Sequence, residues 1–424
     1  VGNIIDKGYT DNAVARALDN GLSVTLESLP HLHSASVGMW IRCGSANEAE
    51  EQSGISHFLE HLFFKGTETR STRQIMEPIE SKGGHLNAFT SREYICVYFK
   101  ALDKHIASGI EILADIIKNS TFADLEKERN VVLEEISSIE DVPDEYVHDL
   151  LALKMWPNHP LGRPVSGSEE TVSNLSFSDV KNYCEQWRQP SGMFFSIAGN
   201  FDEDAVFEQV RNEFGSLPSR PAPKPCDAPA FNPGVEFIER DIGQDHFCMA
   251  FPGPTVLDKR RFAFDVLSNA LGGGSTSRLF ERIRENEGLA YSIYSYVSAY
   301  FSSGFLGVYA AVAPENFDRA MEMTCEEIRK FRDFSITPEE LEANREQLKG
   351  SMLMSFEGTF NRMSRMARSM LYYGRMMSIA ELIEGLDSVT IDDIHEIAEE
   401  ILQPDKCATV VLGPTGASKK EIPL

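Results

Sequence analysis

Hydrophobic and polar positions along the chain fall into the same succession of elements twice. In the first half, apolar runs predict strands at 22–28 and 35–43 and a helix at 54–64. A β-rich stretch at 83–102 and a helix over 104–118 follow. The second half predicts strands at 235–242 and 246–251, a helix at 260–271, a β-rich stretch at 289–312 and a helix at 315–333. Further helices and a last strand complete each half.

The halves also align residue by residue. "LSFSDVKNYCEQWRQPSGMFFSIAGN" (175–200) matches "VTIDDIHEIAEEILQPDKCATVVLGP" (389–414) without gaps, at an offset of 214. Asp179 pairs with Asp393, Gln189 and Pro190 with Gln403 and Pro404, and Gly199 with Gly413. "LEKERNVVLEEI" (125–136) and "LEANREQLKGSM" (341–352) sit at an offset of 216. Agreement of two segments at nearly one offset indicates a tandem duplication. Between the halves, "PSRPAPKPCDAPAFNP" (218–233) carries six prolines. Proline continues neither a helix nor a central strand, so this segment reads as an extended connector. The expected organisation is a first domain at 1–217, the Pro-rich linker at 218–233 and a duplicate domain at 234–424. The fold class is α+β, with an α/β sandwich in each half.

Bulk composition narrows the function. A chain of 424 residues exceeds what one hydrophobic core organises, and 42% hydrophobic with 25% charged residues is ordinary for a globular protein. No apolar run is long enough to span a bilayer. The stretch "VGNIIDKGYTDNAVARALDNG" lacks a basic segment followed by an apolar one, so no signal peptide is read there. Seven scattered cysteines with no CxxC read as free thiols of a reducing compartment. A bacterial cytoplasm is expected, or an organelle matrix if a targeting peptide has been removed. Against 40 basic residues stand 65 acidic ones, a formal net charge of −25. Such a field repels nucleic acid and anionic membranes and favours basic partners.

The candidate chemistry sits in the first helix, "GISHFLEHLFFKGT" (54–67). Ser53 is expected to cap this helix and Gly66 to close it. His57 and His61, at i and i+4, project from one face, with Glu60 between them in angle. Two imidazoles at that spacing can chelate one zinc ion, and a carboxylate that does not ligate can take a proton from the attacking water. The order is H-x-x-E-H, the inverse of H-E-x-x-H. The alternative is a partly exposed amphipathic helix with no ligand.

A catalytic zinc takes three protein ligands and keeps one open position. The helix "DLEKERNVVLEEISSIE" (124–140) is the best source of the third. Helical phase puts Glu135 on a stripe with Val131, Val132 and Ile139, expected to be buried, and Glu134 with Lys127, Asn130 and Ser138, expected to face solvent. A carboxylate on a buried stripe needs a partner, which zinc would supply. Glu128 shares the face of Glu135 and is placed to accept from a ligand histidine.

Three segments together, "HFLEHLFFKGT", "GGHLNAFTSREYICVYF" and "ERNVVLEEI", resemble the pitrilysin-type inverzincin (HxxEH) metallopeptidases, notably the bacterial relatives of the mitochondrial processing peptidase β subunit. The resemblance runs through both halves. It implies one zinc ion per chain, held by His57, His61 and Glu135, with Glu60 as general base and Glu128 as a further functional glutamate. It implies that Asn87 and Ala88 lie on an edge strand that pairs with an extended peptide. It also implies that Arg284 and Tyr291, seven apart in the half without a metal site, contact the substrate. Two halves facing each other across a cavity, peptide or unfolded substrates, and a homodimer complete the expectation. The competing reading is a non-catalytic scaffold or partner subunit of the same fold. Nucleotide binding is rejected, because no G-K-[ST] follows the Gly-rich run at 272–274.

Overall fold

The protein is described from a computed structural model covering residues 12–221 and 224–418. The first eleven residues of the stretch read for a signal peptide, residues 222 and 223 of the Pro-rich segment, and 419–424 lie outside the described residues.

The first unit is built on a six-stranded sheet. Its strands are β1 (Val14–Ala17), β2 (Ser23–Ser28), β3 (Ser34–Ile41), β4 (His85–Thr90), β5 (Ile95–Leu102) and β6 (Met193–Gly199), in the order β1-β2-β6-β3-β5-β4. β2 and β6 run parallel; the other neighbours are antiparallel. The second unit carries β7 (Gly234–Glu239), β8 (Asp245–Pro252), β9 (Ala290–Ala299), β10 (Gly304–Val312) and β11 (Ala408–Gly413), in the order β7-β11-β8-β10-β9. Here β7 and β11 form the parallel pair and the rest is antiparallel. The two sheets share one topology, β1 apart, as a duplicated sequence requires. Each ends in the first strand of a hairpin, β4 in one and β9 in the other.

The observed elements fall within a few residues of the expected ones. The strand read at 35–43 is Ser34–Ile41, and the helices at 54–64 and 260–271 are Ile55–Phe63 and Arg261–Gly272. Among the described residues, none of the seven cysteines is in a disulfide. Among the described residues, no helix is long and apolar enough to cross a membrane.

The boundaries of the compact units are less simple than one cut at the linker. One boundary does fall between Cys226 and Asp227, inside the Pro-rich segment. But Ser137–Arg163 belongs with the second unit and Leu353–Glu381 with the first. Each sheet has a second face to cover, and it borrows a helix for the purpose. Helix Pro143–Met155 packs on β8 and β11, and its His148 Nδ1 meets the hydroxyl of Tyr296, on β9, at 2.8 Å. Helix Thr359–Tyr373 packs on β2, β3 and β6. There Arg362 pairs with the fully buried Glu27, and the Ser36 and Thr359 hydroxyls meet at 2.8 Å. Hydrophobic periodicity marks such a helix as amphipathic without saying which sheet receives it.

Candidate metal centre

In helix Ile55–Phe63 the residues Ile55, Phe58, Leu59 and Leu62 are buried. They recur at i, i+3, i+4 and i+7, the spacing of one helical face. They anchor the helix in the core of the first unit beside Val37, Val97 and Phe99. His57, Glu60 and His61 are thereby left on the opposite, partly accessible side.

Facing them is helix Leu125–Glu140. His57 Nε2 lies 3.7 Å and His61 Nε2 3.3 Å from Glu135 Oε2. The ligating atoms of all three residues fall within 4.8 Å of one another. Two turns back along that helix, Glu128 Oε2 is 3.6 Å from His61 Nδ1, and Glu128 Oε1 is 2.8 Å from Lys65 Nζ. His57, His61 and Lys65 thus meet Glu135 and Glu128 in reverse chain order, as two antiparallel helices would arrange them. Of the two glutamates that helical phase separates, Glu134 is exposed and Glu135 meets both histidines. The stripe itself is drawn differently from the expectation. Val131 is 42% exposed, and the buried positions are Glu128, Arg129, Val132 and Ile136. Glu135 flanks that stripe and stays half accessible, with its carboxylate turned toward the imidazoles.

Charges across the cluster are strongly coupled. Burial, with His61 as neighbour, pushes the His57 imidazole down to about 4 against the pull of Glu135, so at neutral pH its lone pair is free to ligate. Burial also pulls His61 down, but the hydrogen bond and charge of Glu135, with Glu60 and Glu128, outweigh it and raise His61 above its ordinary value. The His61 hydrogen bond holds Glu135 below the carboxylate range. Glu60 moves the other way: burial raises it, while a hydrogen bond from Thr90 opposes. Two imidazoles and a carboxylate form a donor set suited to zinc, three of the four ligands that a catalytic zinc takes. Among the described residues the buried His57 Nδ1 has no hydrogen-bond partner, so packing and not an acceptor orients that ring there.

The start of the helix is held differently from the expectation. Ser53 does not cap it. Gly54 occupies the N-cap position at φ +92°, and the buried Glu48 reaches in from outside the helix. Its two carboxylate oxygens accept from the Gly54 and Ser56 N–H groups, each at 2.8 Å. The Ser53 carbonyl instead accepts from Thr171 Oγ1 at 2.7 Å. Gly167 lies directly against Gly54; a Cβ on Gly167 would stand 2.4 Å from the Ser53 carbonyl oxygen. At the other end the helix stops at Phe63, with Phe64 as C-cap, and Gly66 follows at φ +125°.

β4 is the open edge of its sheet, the position expected of the strand bearing Asn87 and Ala88. Asn87 is exposed, and its Oδ1 accepts from the Ala88 N–H at 2.8 Å. Thr90, at the end of the same strand, donates to Glu60 Oε2 at 2.6 Å. In the second unit, Arg284 lies in a π-helical turn, Phe280–Asn286. Its guanidinium carbon is 4.7 Å from the Phe280 ring centre and 5.4 Å from that of Tyr291, which is 78% exposed at the start of β9. Arg284 and Tyr291 are therefore within cation–π distance of each other.

Glu48, Lys65, Thr90 and Phe280 escaped the sequence reading. Lys65 was within reach of it, four residues beyond His61. Thr90 lies inside "GGHLNAFTSREYICVYF", beside Asn87 and Ala88. Nothing local points to Glu48.

Both halves of the chain have relatives among known proteins. Residues 23–169 match the insulinase (peptidase family M16) family, and 174–348 match the peptidase M16 inactive domain. An uncharacterized zinc protease of Bacillus subtilis is 39% identical over 399 residues, covering 94% of this chain and 97% of that protein. One from Mycobacterium tuberculosis is 37% identical, covering 96% and 94%. Among solved structures, a protease from Helicobacter pylori superposes with a TM-score of 0.88 at 22% identity, covering 95% of this chain and 99% of that one. A peptidase M16 inactive domain from Pseudomonas fluorescens gives 0.89 at 16% identity, covering 95% and 98%.

Proposed function

The chain belongs to peptidase family M16, and from that membership we propose that it is a zinc-dependent endopeptidase acting on peptides or unfolded segments. The observation that carries this reading is the convergence of His57, His61 and Glu135 with Glu60 alongside. The three converging residues would hold one zinc ion per chain, which when bound supplies Lewis acidity.

The protein's own groups do the rest. Glu60 Oε2 accepts from Thr90, which leaves Oε1 to receive the proton of the attacking water and pass it to the leaving amine. Burial raises the affinity of Glu60 for that proton and helps it keep the proton between the two transfers. Glu128, paired with Lys65, stands behind the His61 ring. The peptide adds to the open edge of β4 at Asn87 and Ala88, pairing through its backbone. Arg284 and Tyr291 offer a guanidinium and an exposed phenol to the developing oxyanion.

A net charge of −25 supports a preference for basic peptides. At low salt, kcat/KM for an Arg/Lys-rich peptide should exceed that for a matched acidic one, and equal values would remove the preference. A homodimer is the proposed working form; light scattering showing an active monomer would remove it. The central experiment compares cleavage of a basic, unstructured peptide by the wild type and Glu60→Gln, with zinc content measured in both. Loss of cleavage with zinc retained assigns proton transfer to Glu60. Cleavage by neither protein, or no zinc in either, would overturn the peptidase reading in favour of a scaffold.

A further inference from the structure

We propose that Thr90 is a positioning residue that holds Glu60 for proton transfer and ties it to the strand receiving the peptide. The inference rests on the peptidase reading above and deepens it. The Thr90 Oγ1 to Glu60 Oε2 distance of 2.6 Å lies in the short range of charge-assisted O–H···O⁻ bonds. The Glu60 carboxylate has no other hydrogen bond among the described residues. Without this anchor a glutamate would sample several rotamers, whereas a general base must stay within hydrogen-bond reach of the proton it removes. The bond also distinguishes the two carboxylate oxygens, because only Oε1 remains free.

Thr90 is well placed to act as an anchor. It closes β4 and pairs across the hairpin with Ile95, which is fully buried, so its backbone is fixed by the sheet. Strand structure alone has no use for the hydroxyl. A β-branched valine would suit the same position equally well. Thr90 lies two residues beyond Ala88, so the strand that pairs with the peptide and the group that orients the base are one element.

The test uses the zinc-loaded full chain, its Thr90→Val, Thr90→Ser and Glu60→Gln variants, and a basic unstructured peptide. The readouts are kcat, KM, zinc content and zinc affinity by chelator competition. Thr90→Val should lower kcat about 10- to 100-fold, a share of the roughly 10²–10⁴-fold that a general base contributes. KM and zinc affinity should be unchanged, and Thr90→Ser should recover most of the rate. Wild-type kcat in Thr90→Val, beside an inactive Glu60→Gln, would overturn this inference and leave the peptidase reading standing. So would a rate loss that tracks zinc loss, or a change confined to KM. If the wild type cleaves nothing, the peptidase reading fails and this inference falls with it.

Discussion

Lys65 Nζ lies 2.8 Å from Glu128 Oε1, and the other oxygen of that carboxylate faces His61 Nδ1 at 3.6 Å. Glu128 is almost wholly buried, its side chain only 3% exposed. An unpaired carboxylate there would be costly, so the Lys65 ammonium, two residues beyond the helix, offsets the burial of the group that faces His61. Lys65→Met should therefore destabilise the protein by about 3 kcal/mol, the lower end for breaking a buried pair. It should also weaken zinc binding by about tenfold, as loss of a ligand's outer partner does. Urea unfolding and chelator competition measure the two effects. Adding Glu128→Gln to Lys65→Met should recover part of the stability; strictly additive losses would show that the two residues are not coupled.

Zinc removal should loosen the first unit. A ligand that binds only the folded state at about 100 times its Kd adds about 2.7 kcal/mol of stability. A chelator should lower Tm, and added zinc should restore it in the wild type. Glu135→Gln removes a carboxylate that meets both histidines, so its Tm should respond to neither addition. A zinc-dependent Tm in that variant would mean that the ion is held elsewhere.

Glu48 should matter to the metal without touching it. Glu48→Ala leaves the Gly54 and Ser56 N–H groups unpaired at a buried helix start. A cost of about 1–3 kcal/mol follows from the unsatisfied donors. Those two amides should exchange with deuterium faster, and zinc affinity should fall because His57 lies in the same turn. Gly167→Ala tests the same contact from outside: it forces a Cβ to 2.4 Å from the Ser53 carbonyl oxygen at φ +77°. It should likewise lower Tm and weaken zinc binding. Wild-type zinc affinity in both variants would separate the clamp from the site.

Asp265, in helix Arg261–Gly272, gives a pH-dependent prediction away from the site. Burial pushes its carboxyl up to about 6, against the opposing charge of Arg261. With the folded value above the unfolded one, the folded state holds the proton more tightly. Stability is then lost as pH rises from about 4 through 6. Asp265→Asn has no such charge to bury. It should be more stable than the wild type by roughly 2 kcal/mol at pH 7.5, and the advantage should vanish below pH 4. Parallel unfolding curves at the two pH values decide it; an equal advantage at both would point to packing instead of ionisation.

Much of this protein could be read from short segments. The i, i+4 spacing of His57 and His61, the seven-residue spacing of Glu128 and Glu135, and the repeated element order all lie in the amino-acid sequence itself. Helical and strand periods determine which side chains share a face, so the two half-sites could be drawn before any contact was known. The depth of each face was another matter. Val131 is exposed and Glu135 half accessible because the neighbouring helix, and not the stripe's own pattern, sets where solvent ends. Only the tertiary structure supplied Glu48 at the helix start, Thr90 on Glu60, and the exchange of helices Pro143–Met155 and Thr359–Tyr373 between the units. These are contacts between segments far apart in the chain. Local periodicity says that a face must be covered or an N–H satisfied; which distant residue does so is decided by packing.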